Sequence, residues 1–119
     1  MNETPKLKLF DLEERTFNFA MSCKDLIKKL PRNINNIEYV KQLVRSSSSI
    51  AANYIEANES LSKKDFFYRV KICKKESKES GLWLKLIDIQ DNLSNNQKDL
   101  IRETIELCKI FGAILEKQK

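Results

Sequence analysis

Histidine is absent from this 119-residue chain, which removes the commonest general base and the commonest transition-metal ligand together. A nucleophilic Ser or Cys would have no imidazole partner, and a di-iron bundle would lack its Glu-x-x-His motif. Glycine and proline number two each, too few for a turn-rich sandwich or barrel. No stretch alternates apolar and polar residues cleanly between turn signals, so almost no strand is expected. There is no run of 18 apolar residues, and MNETPKLKLFDLEER at the N-terminus has no apolar core of the kind a secretory signal carries. The expectation is a cytoplasmic protein with no membrane contact. Cysteine is sparse: Cys23, Cys73 and Cys108 are far apart, odd in number and without a CxxC pair. That pattern supports neither a zinc site, nor a redox dithiol, nor a disulfide framework. Each cysteine falls on a different predicted helix as a small core residue. No catalytic residue, metal, cofactor or small-molecule substrate is expected, and the chain does not read as an enzyme.

Lys, Glu, Leu, Ile, Ala and Ser dominate instead, a composition that favours a few long helices. The length suits one domain over residues 1–119, able to bury a core without staples. Residues 1–8, around Pro5, read as a loose lead-in. Leu9, Leu12, Thr16, Ala20, Cys23, Ile27 and Leu30 recur at spacings of three and four, predicting a first helix over about 9–30 that Pro31 stops. A second is expected over about 37–57, with an Asn of the preceding connection as its cap and Asn58 in the left-handed conformation at its end. Its four serines, Ser46 to Ser49, are weak helix formers, but they let a neighbouring helix approach closely. Ser62-x-x-Asp65 is a helix start signal. The third helix, about 63–91, carries the seam Phe66, Val70, Cys73, Ser77, Ser80, Leu84, Ile87, large at its ends and small in the middle. Folding back near residue 60 would set Cys73 and Ser77 level with Leu43 to Ser47. A fourth helix is expected over about 96–117, with Ser94 as a cap and Ile101, Ile105, Cys108, Phe111 and Leu115 as its main seam beside Leu100, Leu107 and Ile114. Short connections between four helices predict an all-α, antiparallel up-down-up-down four-helix bundle.

The chain carries a net charge of +5, and residues 63–88 hold most of it, with eight Lys/Arg against four Asp/Glu. At about 100° per residue, Lys63, Lys64, Lys71, Lys74, Lys75, Lys78 and Lys85 fall in one arc of roughly 120°. A solvated face is the ordinary meaning of such a run. The sharper reading is a phosphate-binding strip, since point charges at helical pitch can track a nucleic-acid backbone. Phe67 lies within the arc. Among the acids beside that arc Tyr68, Ile72, Trp83 and Leu86, with Glu79 among them, make a second apolar stripe beyond the one a bundle needs. A partner surface explains it, because Trp and Tyr are enriched at interface cores. Arg69, one turn after Asp65, is expected to pair with it.

The run Ser49-Ile50-Ala51-Ala52-Asn53-Tyr54-Ile55-Glu56-Ala57, the Ser62-x-x-Asp65-Phe66 start and Lys75-Glu76-Ser77-Lys78-Glu79-Ser80-Gly81-Leu82-Trp83-Leu84 resemble the four-helix-bundle proteins named for intervening sequences of 23S ribosomal RNA genes. Asn53 and Glu56 match that family's A-N-x-x-E-G signature, and Glu79 with Trp83-Leu84 its E-x-x-x-W-L segment. The Gly after the signature Glu is Ala57 here. The resemblance implies a homopentamer, relates the chain to accessory subunits of diversity-generating reverse transcriptases thought to hold nucleic acid, and implies no catalytic residue. Asn53 and Glu56 are expected to serve structure, since buried polar groups most often satisfy backbone. Two functions follow: a non-catalytic oligomer that binds ribosomal RNA or other RNA or DNA through the lysine arc, or a protein-interaction scaffold on which the lysines are incidental.

Overall fold

The structure is a computed structural model that describes residues 4–118, with side chains from residue 12 onward. It contains four helices of nearly equal length, α1 (Thr4–Ile27), α2 (Ile34–Asn58), α3 (Lys63–Leu86) and α4 (Ser94–Glu116), with a 3-10 turn at Asp91–Leu93 leading into the last. At 1.5 Å per residue each is about 36 Å long, which accounts for the 45 Å long axis of the molecule.

The contacts fix the helix directions. Between α2 and α3, Asn36 meets Asp88, Ser46 meets Ser80, Ile50 meets Cys73 and Asn53 meets Arg69, the index falling on one helix as it rises on the other. Asn58 reaches Glu13 across α1 and α2. Between α3 and α4, Leu84 meets Gln97 and Lys74 meets Cys108. Consecutive helices therefore run antiparallel. The register of α2 on α3 differs by about one turn from the sequence-based expectation, with Cys73 opposite Ile50 rather than opposite Leu43 to Ser47.

The core is layered. Leu12, Phe19, Cys23 and Leu26 of α1, Leu43, Ile50 and Tyr54 of α2, Val70, Cys73 and Leu84 of α3, and Leu107 and Phe111 of α4 are buried. Tyr54 packs on Phe111 with ring centroids 6.0 Å apart. At mid-height the interior is small and polar. Ser46 and Ser80 share a 2.7 Å hydrogen bond, Ser77 donates to the Cys73 carbonyl at 2.8 Å, and Thr104 donates to the Ile101 carbonyl at 2.6 Å. Each of these serine and threonine hydroxyls thus has a partner, which is what permits them in a bundle interior.

Several boundaries differ from expectation. Residues 4–8 are helical rather than a loose lead-in, since Pro5 in a first turn forfeits no helical hydrogen bond; residues 1–3 of that segment lie outside the described residues. α1 ends at Ile27 through two 3-10 bonds, from the Lys29 N–H to Leu26 and from the Leu30 N–H to Ile27. α2 begins at Ile34 with Asn33 as its cap, the Asn33 side chain accepting from the Asn36 N–H at 2.8 Å. No described residue has a positive φ: α2 closes with the Glu59 N–H on the Ile55 and Glu56 carbonyls, so Asn58 is not a left-handed stop. α3 ends at Leu86, five residues early, because Ile87 turns into extended geometry (φ −64°, ψ 144°). Ser62 does cap α3, accepting from the Asp65 N–H at 3.1 Å. Ser94 does not cap α4; it is helical, and the 3-10 turn supplies the lead-in.

α4 is rotated relative to its expected seam. Thr104, Leu107 and Phe111 face the core, while Ile105 is 49% exposed and Ile101 and Cys108 are half-buried. Of the two apolar sets on this helix the core takes Leu107 from one and Phe111 from the other, leaving Ile101, Ile105 and Cys108 less buried. These three lie beside the lysines of α3.

Candidate nucleic-acid interface

α3 brings its lysines together as the helical period requires. Lys63, Lys64, Lys71, Lys75, Lys78 and Lys85 are exposed and Lys74 is half-buried. Among the described residues none of the seven lies within ion-pairing distance of a carboxylate. Lys64, Lys71, Lys78 and Lys85 repeat every seven residues, so their Cα atoms step along the helix by about 10 Å. Lys74 leans over α4: a Cβ on Gly112 would lie 3.7 Å from its Nζ. Glycine at that position opens the surface on which the lysine stem rests.

The arc borders a groove between α3 and α4. Lys74, Lys78, Gly81, Leu82 and Lys85 line one side, and Ile101, Thr104, Ile105, Cys108, Lys109 and Gly112 the other. Four lysines and no acid line it, over a floor of aliphatic and small side chains. Lys109, which sequence reasoning did not assign to the site, joins the lysines of α3 because of the rotation of α4. Only its own spacing along α4 could have signalled it, and that spacing does not tell which helix lies alongside. Lys109 also approaches Glu106 at 3.7 Å, an exposed contact of small energetic value.

Phe67 is not free to stack. It is half-buried and meets Phe66 edge-on at 5.2 Å. Among the described residues the only aromatic of α4 is Phe111, which is fully buried. The lysine surface therefore offers charge and aliphatic area, with the 60% exposed Tyr68 at its border, one turn from Lys64 and Lys71.

The second stripe of α3, beside the arc, is divided. Tyr68 is 60% exposed and Leu86 41% exposed, and Ile72 is half-buried. Trp83 is half-buried and stacked on Tyr39 of α2 at 6.2 Å, so part of the second stripe is used within the chain. Glu79 is also engaged internally. The Arg45 guanidinium donates to Glu79 at 3.1 Å and to both oxygens of the nearly buried Glu76 at 3.3 Å. The hydrogen bond to Glu76 is the first cause holding the Arg45 pKa above its ordinary value. Arg69 does not pair with Asp65. It donates to the Asn53 Oδ1 at 2.9 Å, and its guanidinium lies 5.8 Å from the centre of the Tyr68 ring. Asn53 in turn donates to the Ser49 carbonyl and hydroxyl, both at 2.9 Å. It thus ties α2 to α3, whereas Glu56 is exposed.

The remaining chemistry is inert. Burial pushes the Cys23 and Cys73 thiols up to about 12, a hydrogen bond with Ser47 opposing it at Cys23. The Cys108 thiol is raised by burial against the opposing pull of Lys78 and Lys74. A protonated thiol is a poor nucleophile and a poor metal ligand. No group of three or more His, Cys, Asp or Glu side chains converges as metal ligands among the described residues, and no helix there is long and apolar enough to cross a membrane.

A family model described as 23S rRNA-intervening sequence protein matches residues 9–113. The chain is also similar to a crystal structure of a protein of unknown function from the S23 ribosomal protein family of Bacteroides thetaiotaomicron. The two are 27% identical, the match covers 92% of this chain and 98% of that one, and the TM-score is 0.76. Among curated proteins none matches.

Proposed function

The chain belongs to the 23S rRNA-intervening sequence protein family, and from that premise we propose that it is a non-catalytic, self-associating bundle that binds RNA or DNA through the lysine arc of α3. The observation that carries the reading is the unpaired state of Lys63, Lys64, Lys71, Lys74, Lys75, Lys78 and Lys85 on one face of a helix. The acids of α3 other than Asp65 stand elsewhere: Glu76 and Glu79 are turned toward Arg45 on the α2 side. A surface kept for solubility alone mixes the two signs. One that releases counterions from a polyphosphate separates them.

Titration with ribosomal RNA at increasing salt tests this. Binding at low salt that weakens steeply with salt is expected. Reversing Lys71, Lys74 and Lys78 to Glu should reduce affinity by about a hundredfold or more, three phosphate contacts being both lost and made repulsive. No binding at low salt, or an unchanged affinity in the triple variant, removes the proposal.

The scaffold reading draws on a different surface. Tyr68 and Leu86 on α3, with Phe17, Val44 and Ile55 on α1 and α2, are exposed apolar side chains, and such residues are the material of protein contacts. In this proposal they serve contact between copies of the chain, as a homopentamer by family resemblance. Repeating a weak lysine arc around an oligomer multiplies its hold on one polyanion.

A further inference from the structure

We infer that the lysine arc, with the groove it borders, grips the phosphate backbone of a double helix without reading base sequence, and disfavours single strands. This rests on the nucleic-acid reading above and narrows it to one form of ligand.

Rigidity comes first. Lys64, Lys71, Lys78 and Lys85 are fixed on a single uninterrupted helix and span about 32 Å at 1.5 Å per residue. A line of charges that long suits a partner whose phosphates are already in place. A duplex, stiff over far greater lengths, supplies them with no ordering cost, whereas a flexible strand must be straightened against its conformational entropy.

Stacking comes second. Proteins that hold single strands offset that cost with aromatic platforms on which bases lie. Here Phe67 is committed edge-on to Phe66, Phe111 is fully buried, and Tyr68, exposed at the border of the arc one turn from Lys64 and Lys71, already has the Arg69 guanidinium 5.8 Å from its ring centre. One such ring beside seven lysines falls short of the successive platforms on which the bases of a strand stack.

Readout comes third. Base edges are read by side chains such as Arg, Asn and Gln that make paired hydrogen bonds. The groove is lined by Lys74, Lys78, Lys85 and Lys109 over aliphatic and small residues, with Thr104 its single neutral side chain bearing a hydroxyl. That hydroxyl is engaged with the Ile101 carbonyl. Ammonium groups on flexible stems contact phosphates and discriminate little between sequences.

The test is a salt titration of the full chain against three labelled probes of equal phosphate number: an RNA duplex a little longer than α3, the same duplex in DNA, and an oligo(U) strand. At matched salt at least one duplex is expected to bind about tenfold or more tighter than oligo(U), with two unrelated duplex sequences equal within about threefold. Replacing the exposed Lys71, Lys78 and Lys85 with Gln, with helicity confirmed by circular dichroism, should flatten the slope of log K against log salt by about one per lysine on the duplex. Oligo(U) binding as tightly as the tighter-binding duplex, or a strong dependence on duplex sequence, overturns the inference while leaving binding through the lysine arc standing. An unchanged slope in the variant, or failure of all three probes to bind, overturns both.

Discussion

Gly81 of α3 sits against Thr104 of α4, and a methyl group there would lie 2.9 Å from the Thr104 Oγ1. That oxygen is itself held by a 2.6 Å bond to the Ile101 carbonyl, so it has little freedom to yield. Gly81→Ala should therefore cost about 1–3 kcal/mol of overpacking, against about 1 kcal/mol returned by the better helix former. Combining it with Thr104→Ala, which removes the clashing oxygen, should make the alanine neutral or stabilising, so urea unfolding of the four variants yields a clear coupling. A stabilising effect of Gly81→Ala alone would mean the helices are less tightly apposed. Glycine within the predicted helix was visible in the sequence; its partner was not, because Thr104 lies 23 positions away and spacing along α3 carries no information about α4. The same limit hid Arg45. Glu79 was expected within a partner-facing stripe, yet one guanidinium from α2 holds it together with Glu76.

Elements end where a neighbour ends them. Asn36, 2% exposed in the first turns of α2, donates to the Pro31 and Asp88 carbonyls at 2.9 Å each and accepts from the Asp88 N–H at 2.8 Å. That one amide takes over backbone groups on both connections at this end of the bundle, and α3 stops before it. Asn36→Ala should cost about 1–3 kcal/mol, since three part-buried backbone groups lose a partner at up to about 1 kcal/mol apiece. Hydrogen exchange gives the site-specific check: the Asp88 amide should lose its protection while amides at mid-helix α3 keep theirs. Equal protection in the variant would show that the ending of α3 is intrinsic to residues 87–91. The start of α3 needed no such help. Ser62 and Asp65 are three apart on the same strand of chain, and the cap forms as their spacing implies. The local caps at Asn33 and Ser62 were legible in advance, whereas those expected at Asn58 and Ser94 did not form and those made by distant side chains left no signal.

For the whole molecule the open quantity is assembly. Exposed apolar side chains lie on α3, as Tyr68 and Leu86, and on the outer surface of α1 and α2, as Phe17, Val44 and Ile55. Trp83 and Glu79 are partly occupied inside the chain by Tyr39 and Arg45, so the exposed weight of the expected α3 stripe falls on its two ends. Light scattering at micromolar concentration should give an oligomer, and Tyr68→Glu with Leu86→Glu should dissociate it, a buried unpaired carboxylate being costly. Dissociation by Val44→Glu with Ile55→Glu instead would move the contact to α1 and α2. A wild-type monomer would end the proposal of self-association.

Four helices, the Ser62 cap, the α3 seam from Val70 to Ile87 and the lysine arc all rest on residues at most a few turns apart, and helical periodicity relates such residues without reference to the rest of the fold. The sequence by itself determined these. Tertiary structure decided which helix borders the lysines, which apolar residues α4 buries, where α3 stops, and that Arg69 meets Asn53 rather than Asp65. Each of those depends on side chains brought together from different helices, and their packing is set by the shapes of both partners at once.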